Sequence, residues 1–196
     1  SAEDRNPYHL TLLAKNNQGY QNLMKLSTIA CLEGFYYKPR IDHDLIEKYS
    51  EGIIALSGCL GGELGTLISN DQMDQALELA KWYLGIFGKE NYYLELQPHV
   101  DWAPQKKLNA GLMEISKKLG IDMVVTGDCH YSTEADHYPH DILLCVQTGS
   151  NIDDENRMKL EMDLSVQPGS YFLERFPDNP EVLSNTVKIA EMCDVN

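Results

Sequence analysis

Short apolar runs alternate with amphipathic stretches along most of the chain, and this alternation limits the folds that are open to it. The runs lie at residues 9–14, 53–57, 92–96 and 123–126. They are apolar throughout rather than at every second position, which is typical of parallel strands covered on both faces by helices. The sequence therefore predicts an α/β fold with a three-layer core.

Amphipathic helices are predicted between and after these strands, because their apolar residues recur at helical spacing. The predicted helices cover residues 17–32, 71–87, 103–119, 133–147 and 180–193. Asp71 is the predicted N-cap of the second helix, and Gly88 is its predicted stop. Beyond Gly149 the chain becomes polar and proline-rich. We therefore divide it into a domain at 1–150 and an appendage at 151–196.

The charge balance limits how this chain can bind nucleic acid. Lysine and arginine number 16 against 30 acidic residues, which gives a net charge of −14. This balance argues against a domain that grips DNA on its own, since DNA binding depends on neutralising phosphates. It is compatible with a domain of a larger protein, or with a nuclease whose metal ions supply the positive charge.

Cysteine usage and hydropathy predict the compartment. The five cysteines form no CxxC pair, which excludes a zinc ribbon. The polar segment at residues 1–7 does not have the pattern of a secretory signal, so a reducing cytoplasm is expected. No apolar run approaches the roughly 20 residues that span a bilayer, and no membrane partner is expected.

Metal-binding side chains follow three of the predicted strands. Cys59 follows the second, Glu95 and His99 lie at the end of the third, and Asp128 and His130 follow the fourth. In parallel α/β folds, ligands bind beyond the carboxyl ends of the strands. These sulfur, nitrogen and oxygen atoms are therefore expected to converge on one edge of the sheet.

The Asp-x-His pair has two interpretations. Residues at i and i+2 of an extended segment point the same way, so Asp128 and His130 can share a metal. A thiolate from Cys59 would favour zinc or another borderline metal over magnesium. In the alternative, Asp128 caps the following helix and His130 packs against Tyr131. The residues alone leave both open.

Two weaker signals accompany this pair. Lys38 and Arg40 follow three aromatic residues, and a basic, aromatic loop is suited to phosphate or bases. A surface loop held by buried tyrosines is the alternative. His137 and His140 lie three residues apart on a predicted helix, where a solvated face is favoured over a metal pair.

Five ordered motifs resemble a known family. They lie at residues 8–16 (YHLTLLAKN), 34–42 (GFYYKPRID), 55–63 (ALSGCLGGE), 127–131 (GDCHY) and 140–149 (HDILLCVQTG). Together they resemble the N-terminal PHP (polymerase and histidinol phosphatase) domain of bacterial DNA polymerase III alpha subunits. The resemblance covers nearly the whole chain.

The resemblance implies a distorted seven-stranded β/α barrel, of which this chain would be the C-terminal part with a short helical appendage. It also implies up to three divalent metals, zinc or manganese, at the C-terminal rim. His9, Cys59, Asp128 and His130 match metal ligands of the family, and Glu95 and His99 would stand behind them. The family's earlier ligands and strands precede this region, so an incomplete site and an open sheet edge prone to self-association are expected.

The implied parent activity is DNA-directed DNA synthesis, carried out with magnesium at a polymerase palm beyond residue 196. The implied role of the PHP region is a metal-dependent 3′–5′ exonuclease or phosphoesterase, which this chain alone would lack. DNA and other replicase subunits, including a proofreading exonuclease, are the implied partners. Two alternatives stay open: a structural module that docks the proofreading subunit, and a stand-alone PHP phosphatase.

Overall fold

A four-stranded sheet forms the centre of the structure, a computed structural model that describes residues 7–196. Residues 1–6, which make up most of the polar N-terminal segment, lie outside the described residues, and so does most of the prediction about a secretory signal. The strands, in their order across the sheet, are β1 (Thr11–Ala14), β2 (Ile53–Leu56), β3 (Tyr92–Leu96) and β4 (Met123–Val125). All four predicted strands are confirmed.

Strand direction differs from the prediction at β1. Strands β2, β3 and β4 are parallel, as expected, whereas β1 is antiparallel to β2 and pairs Thr11 with Leu56. The prediction was wrong here because an apolar run indicates burial and carries no information about direction. The four described strands form a linear order, and the seven-stranded barrel remains a proposal.

Helices fill the connections between the strands, and each of the five predicted helices is present. Three short helices, α2, α3 and α7, were not predicted. The helices are α1 (Asn17–Leu32), α2 (His43–Lys48), α3 (Glu63–Ser69), α4 (Met73–Phe87), α5 (Ala103–Leu119), α6 (His137–Thr148, after a 3₁₀ turn at Glu134–Asp136), α7 (Gly169–Arg175) and α8 (Glu181–Met192).

The start of α4 corrects a second prediction. Asp71 does not cap this helix, because α4 begins at Met73 with Gln72 in the cap position and no side-chain cap bond. Asp71 instead has a left-handed backbone, with φ of 60°, and its carboxylate lies 2.8 Å from Lys107 Nζ. Its role is therefore a link between the α3–α4 turn and α5.

The core has a layer on each face of the sheet. Alternate residues of β2 point to opposite sides, so Ile53 packs with α4 and α5 while Ile54 packs with Ile189 of α8. Helices therefore cover both faces, as the three-layer prediction requires. The boundary at residue 150 remains a prediction. No helix within residues 7–196 combines the length and hydropathy needed to cross a bilayer.

Candidate functional site

The reversed direction of β1 places His9 at the same sheet edge as the end of β2. His9 forms a bridge with Gly62, and its backbone N–H donates to the carbonyl of Gly61 at 3.0 Å. Its ring Nδ1 lies 3.4 Å from Cys59 Sγ. The structure thus brings His9 and Cys59 together. His9 precedes β1, and a prediction based on the carboxyl ends of parallel strands does not select it, because β1 is antiparallel and begins at this edge.

The glycine-rich turn after β2 is shaped by this close approach. Gly58 has a φ of 81°, and a Cβ there would lie 2.6 Å from the carbonyl oxygen of His9. A Cβ on Gly61 would lie 3.2 Å from the His9 ring. Gly58 is therefore required, because its backbone is left-handed and the His9 backbone passes directly over it, whereas a side chain at Gly61 would displace the His9 ring slightly.

His99 and Asp128 meet beyond the ends of β3 and β4. The side chain of His99 is buried, and its Nε2 lies 3.9 Å from Asp128 Oδ2. This distance is too long for a hydrogen bond, and Nε2 has no other hydrogen-bond partner within residues 7–196. Burial lowers the pKa of His99, and the negative charge of Asp128 acts in the opposite direction. His99 is therefore neutral at pH 7 with a polar ring atom to satisfy.

His130 is oriented by its own turn. Its Nδ1 lies 2.7 Å from the backbone oxygen of Asp128, and Nδ1 must be the donor because a carbonyl only accepts. In the neutral tautomer that this hydrogen bond selects, the second ring nitrogen, Nε2, has the lone pair that a metal would need. A backbone carbonyl that fixes the tautomer in this way is typical of metal-binding histidines.

The alternative interpretation of the Asp-x-His pair does not match the structure. Asp128 caps no helix, because the next helical turn is capped by Thr133 in a reciprocal capping box with Asp136. The ring of His130 lies 5.5 Å from that of His140 rather than against Tyr131. His140 is thus a further residue of this region, although its helical spacing alone favoured a solvated face.

Glu95, a buried residue of β3, forms hydrogen bonds with residues at the ends of the other strands. It is only 6% exposed, and both of its carboxylate oxygens accept hydrogen bonds, from Thr11 at 3.3 Å and from Thr126 at 2.6 Å. Its backbone N–H donates to Ser57 Oγ at 2.9 Å. Glu95 therefore ties the strand ends together, and no contact joins it directly to His99 or Asp128.

The basic loop lies next to His9. Lys38, Tyr8 and His9 line one cavity of about 280 Å³, and Arg40 and His9 line a second of about 1110 Å³. The alternative of a loop held by buried tyrosines is wrong, because Tyr36 is 48% exposed and Tyr37 is 60% exposed.

Glu63 and Tyr83 also line the larger cavity. Glu63 Oε2 lies 2.9 Å from His43 Nε2 and accepts a hydrogen bond from the Tyr83 hydroxyl at 3.4 Å. Burial, together with the charge of Glu63, raises the pKa of Tyr83 far above its usual value. The tyrosine therefore stays protonated, and the carboxylate is held between two donors.

The donor set is suited to metal but is divided. Within the described part of the chain, no three His, Cys, Asp or Glu side chains group closely enough to hold one ion. The edge instead presents two pairs, His9 with Cys59 and His99 with Asp128. Imidazole and thiolate favour zinc and similar ions. The residues thus fit part of a ligand set.

Comparison with known proteins identifies the family. Residues 1–99 match the PHP domain. The chain belongs to the PHP domain family. It is 45% identical over 188 residues to the DNA polymerase III subunit alpha of Borreliella burgdorferi. The aligned region covers 95% of this chain and 16% of that protein.

Other relatives of this PHP domain carry the same name. The DNA polymerase III subunits alpha of Treponema pallidum and Thermus aquaticus are 43% and 42% identical to it, over 97% and 96% of the chain. In each case the chain spans only 16% of the relative's length. The matches to these relatives extend past residue 99 and therefore include the region of Asp128 and His130.

Proposed function

We propose that this PHP domain is the metal-binding region of a replicative DNA polymerase III alpha subunit. Its sheet edge would act as a metal-dependent phosphoesterase with 3′–5′ exonuclease activity. The observation that carries the proposal is the contact of His9 Nδ1 with Cys59 Sγ at 3.4 Å, which unites two residues 50 positions apart in sequence.

Four residues would hold divalent metal: His9, Cys59, Asp128 and His130. Zinc or manganese would supply a Lewis acid for the phosphodiester and lower the pKa of the attacking water. His130 is oriented for this role by the carbonyl of Asp128. The buried ring of His99 lies next to Asp128, with its Nε2 3.9 Å from Asp128 Oδ2, and would help to position that carboxylate.

The proposal for the whole protein is broader. DNA synthesis would take place with magnesium at a palm outside this chain, and DNA and other replicase subunits, including a proofreading exonuclease, would be its partners in the cytoplasm. Because residues 7–196 do not group three ligands, the chain alone is expected to degrade no DNA. A 3′-labelled oligonucleotide incubated with the purified chain and manganese should stay intact.

A structural role is the second candidate, and the same division of ligands favours it. A PHP domain that only docks the proofreading subunit does not need a complete metal site. A stand-alone phosphatase is disfavoured, because the relatives named above are all polymerase subunits. Metal binding separates the first candidate from the second.

The test is cobalt binding to the purified chain. Cobalt(II) takes the place of zinc, and a thiolate ligand gives it a charge-transfer absorption band. We expect this band in the wild type, its loss in Cys59→Ser, and its weakening in His9→Ala. Cys31→Ser is the matched control, since Cys31 is an exposed cysteine on α1 and belongs to neither pair of proposed ligands. An equal band in the Cys59→Ser variant, or no band in the wild type, would contradict the proposal.

A further inference from the structure

Residues 34–40 form what we call the aromatic loop, which displays three consecutive rings to solvent. Phe35, Tyr36 and Tyr37 are 61%, 48% and 60% exposed. Scattered exposed apolar residues are ordinary, but a contiguous group at one tip marks a contact surface. The loop joins α1 to α2, and none of its rings belongs to the core.

The loop is held in one shape by its backbone. A Cβ on Gly34 would lie 2.1 Å from the carbonyl oxygen of Arg40, so the two ends of the loop touch. Tyr36 and Lys38 form an isolated bridge, in which the Tyr36 N–H donates to the Lys38 carbonyl at 3.2 Å. Tyr37 lies between them at the tip, with a φ of 62°.

A side-chain contact reinforces this shape. The Arg40 guanidinium lies over the Tyr36 ring, 5.1 Å from its centroid, and donates to the Tyr36 carbonyl. Tyr36 and Tyr37 meet edge to face, with centroids 4.7 Å apart. The rings are therefore organised before any partner arrives, which lowers the entropic cost of binding.

The loop adjoins the candidate metal site. Lys38 shares the smaller cavity with Tyr8 and His9, and Arg40 shares the larger one with His9. Two cations thus flank the rings in a chain with a net charge of −14. The nearby carboxylate of Asp42 accepts the backbone N–H of Leu45 at the start of α2, and that of Glu63 faces His43. Lys38 and Arg40 therefore place two positive charges beside the rings, and the nearest carboxylates already have partners in the protein.

We propose that the aromatic loop binds single-stranded nucleic acid, stacking bases on Tyr36 and Tyr37 and placing a backbone phosphate against Lys38. Aromatic faces accept any base, and a neighbouring cation pairs with the phosphate between bases. A strand bound here would end beside His9 and Cys59. The destination of the strand rests on the phosphoesterase proposed above, whereas binding to the loop does not.

The test is fluorescence anisotropy of a labelled oligothymidylate with the purified chain, at low salt and with EDTA present. Tyr36→Ala should weaken binding about tenfold, the effect of losing one stacked base. Tyr37→Gly keeps the left-handed backbone and should weaken binding similarly, while Tyr36→Phe should retain it. Lys38→Ala should decrease the slope of log Kd against log salt concentration by about one, because one phosphate contact is lost.

Matched controls use equivalent residues outside the loop. Tyr138→Ala removes a 63% exposed ring from α6, and Lys117→Ala removes an exposed lysine from α5; neither should change binding. No binding by the wild type, or equal effects of Tyr36→Ala and Tyr138→Ala, would overturn the proposal. If the loop instead docks another protein, the wild type will not bind the oligonucleotide. The Cys59→Ser variant, which loses cobalt, should still bind the oligonucleotide, so the two proposals fail separately.

Discussion

Strand β1 and the three parallel strands belong to one sheet but are held in it differently. Every residue of β2, β3 and β4 is buried, whereas all four residues of β1 are only half-buried. The parallel strands are fixed by apolar burial on both faces. β1 lies at the sheet edge, where it pairs with β2 alone among the described strands, and the backbone N–H of Lys15 just after it donates to the carbonyl of Gly52 at 2.8 Å. The position of His9, a predicted ligand, therefore depends on the less buried part of the sheet.

The largest effect is expected where α1, the helix that follows β1, contacts the turn before β2. A Cβ on Gly19 would lie 1.7 Å from the carbonyl oxygen of Gly52, and neither backbone can move aside easily. Gly19→Ala should lower the free energy of unfolding by about 3 kcal/mol or more. Gly85→Ala in α4 is the control, because a Cβ there would have no atom of the described residues within 4 Å; it should raise stability by up to about 1 kcal/mol. Urea denaturation measures both, and equal effects would contradict the account of this junction.

The next effect tests burial directly. Leu94 in β3 is fully buried, so Leu94→Ala should cost about 2–5 kcal/mol of unfolding free energy. Leu12 in β1 is half-buried and lines the larger cavity, so Leu12→Ala should cost about 1 kcal/mol. Chemical denaturation of both variants measures the difference. A larger loss at Leu12 would reverse the comparison between the strands.

A smaller effect depends on pH and belongs to the parallel side of the sheet. Burial lowers the pKa of His99 from 6.5, so the unfolded chain takes up a proton at higher pH than the folded chain does. The contribution of His99 to the free energy of unfolding is therefore complete above about pH 6.5, the pKa in the unfolded chain. It is lost as the pH falls from there through the lower pKa in the folded chain. His99→Gln should have a shallower decline of unfolding free energy below pH 6.5 than the wild type. Identical slopes in the two proteins would contradict this role.

The smallest effect is expected in association. No strand within residues 7–196 pairs with the outer edge of β1, and exposed edges invite pairing with another chain. We expect weak dimerisation, seen as a sedimentation coefficient that rises with protein concentration. The net charge of −14 opposes it at low salt, so added salt should strengthen it. A sedimentation coefficient that stays at the monomer value at high protein concentration and high salt would show that the edge of β1 does not pair with a second chain.

Local patterns predicted the strands and the longer helices well, because burial and helical spacing are properties of short segments. The strand-end argument also placed Cys59, His99 and Asp128 at one edge. It missed His9, since the direction of β1 is set by its pairing with β2 and not by its own residues. Asp71 has the usual chemistry of an N-cap, but its left-handed backbone and its contact with Lys107 depend on α5. The short helix α7 was missed for lack of a periodic apolar face.

The carboxylate of Glu95 has a consequence for the motions of this edge. It accepts hydrogen bonds from Thr11 on β1 and Thr126 after β4, while its own N–H donates to Ser57 after β2. One buried residue therefore contacts the other three strands at this edge. Opening β1 or β4 there would leave one carboxylate oxygen of Glu95 without its hydrogen bond, and opening β2 would leave the Glu95 N–H without one, so the amides at this edge should exchange with deuterium as one cooperative unit. The half-buried β1 is thereby drawn into the same opening event as the fully buried strands.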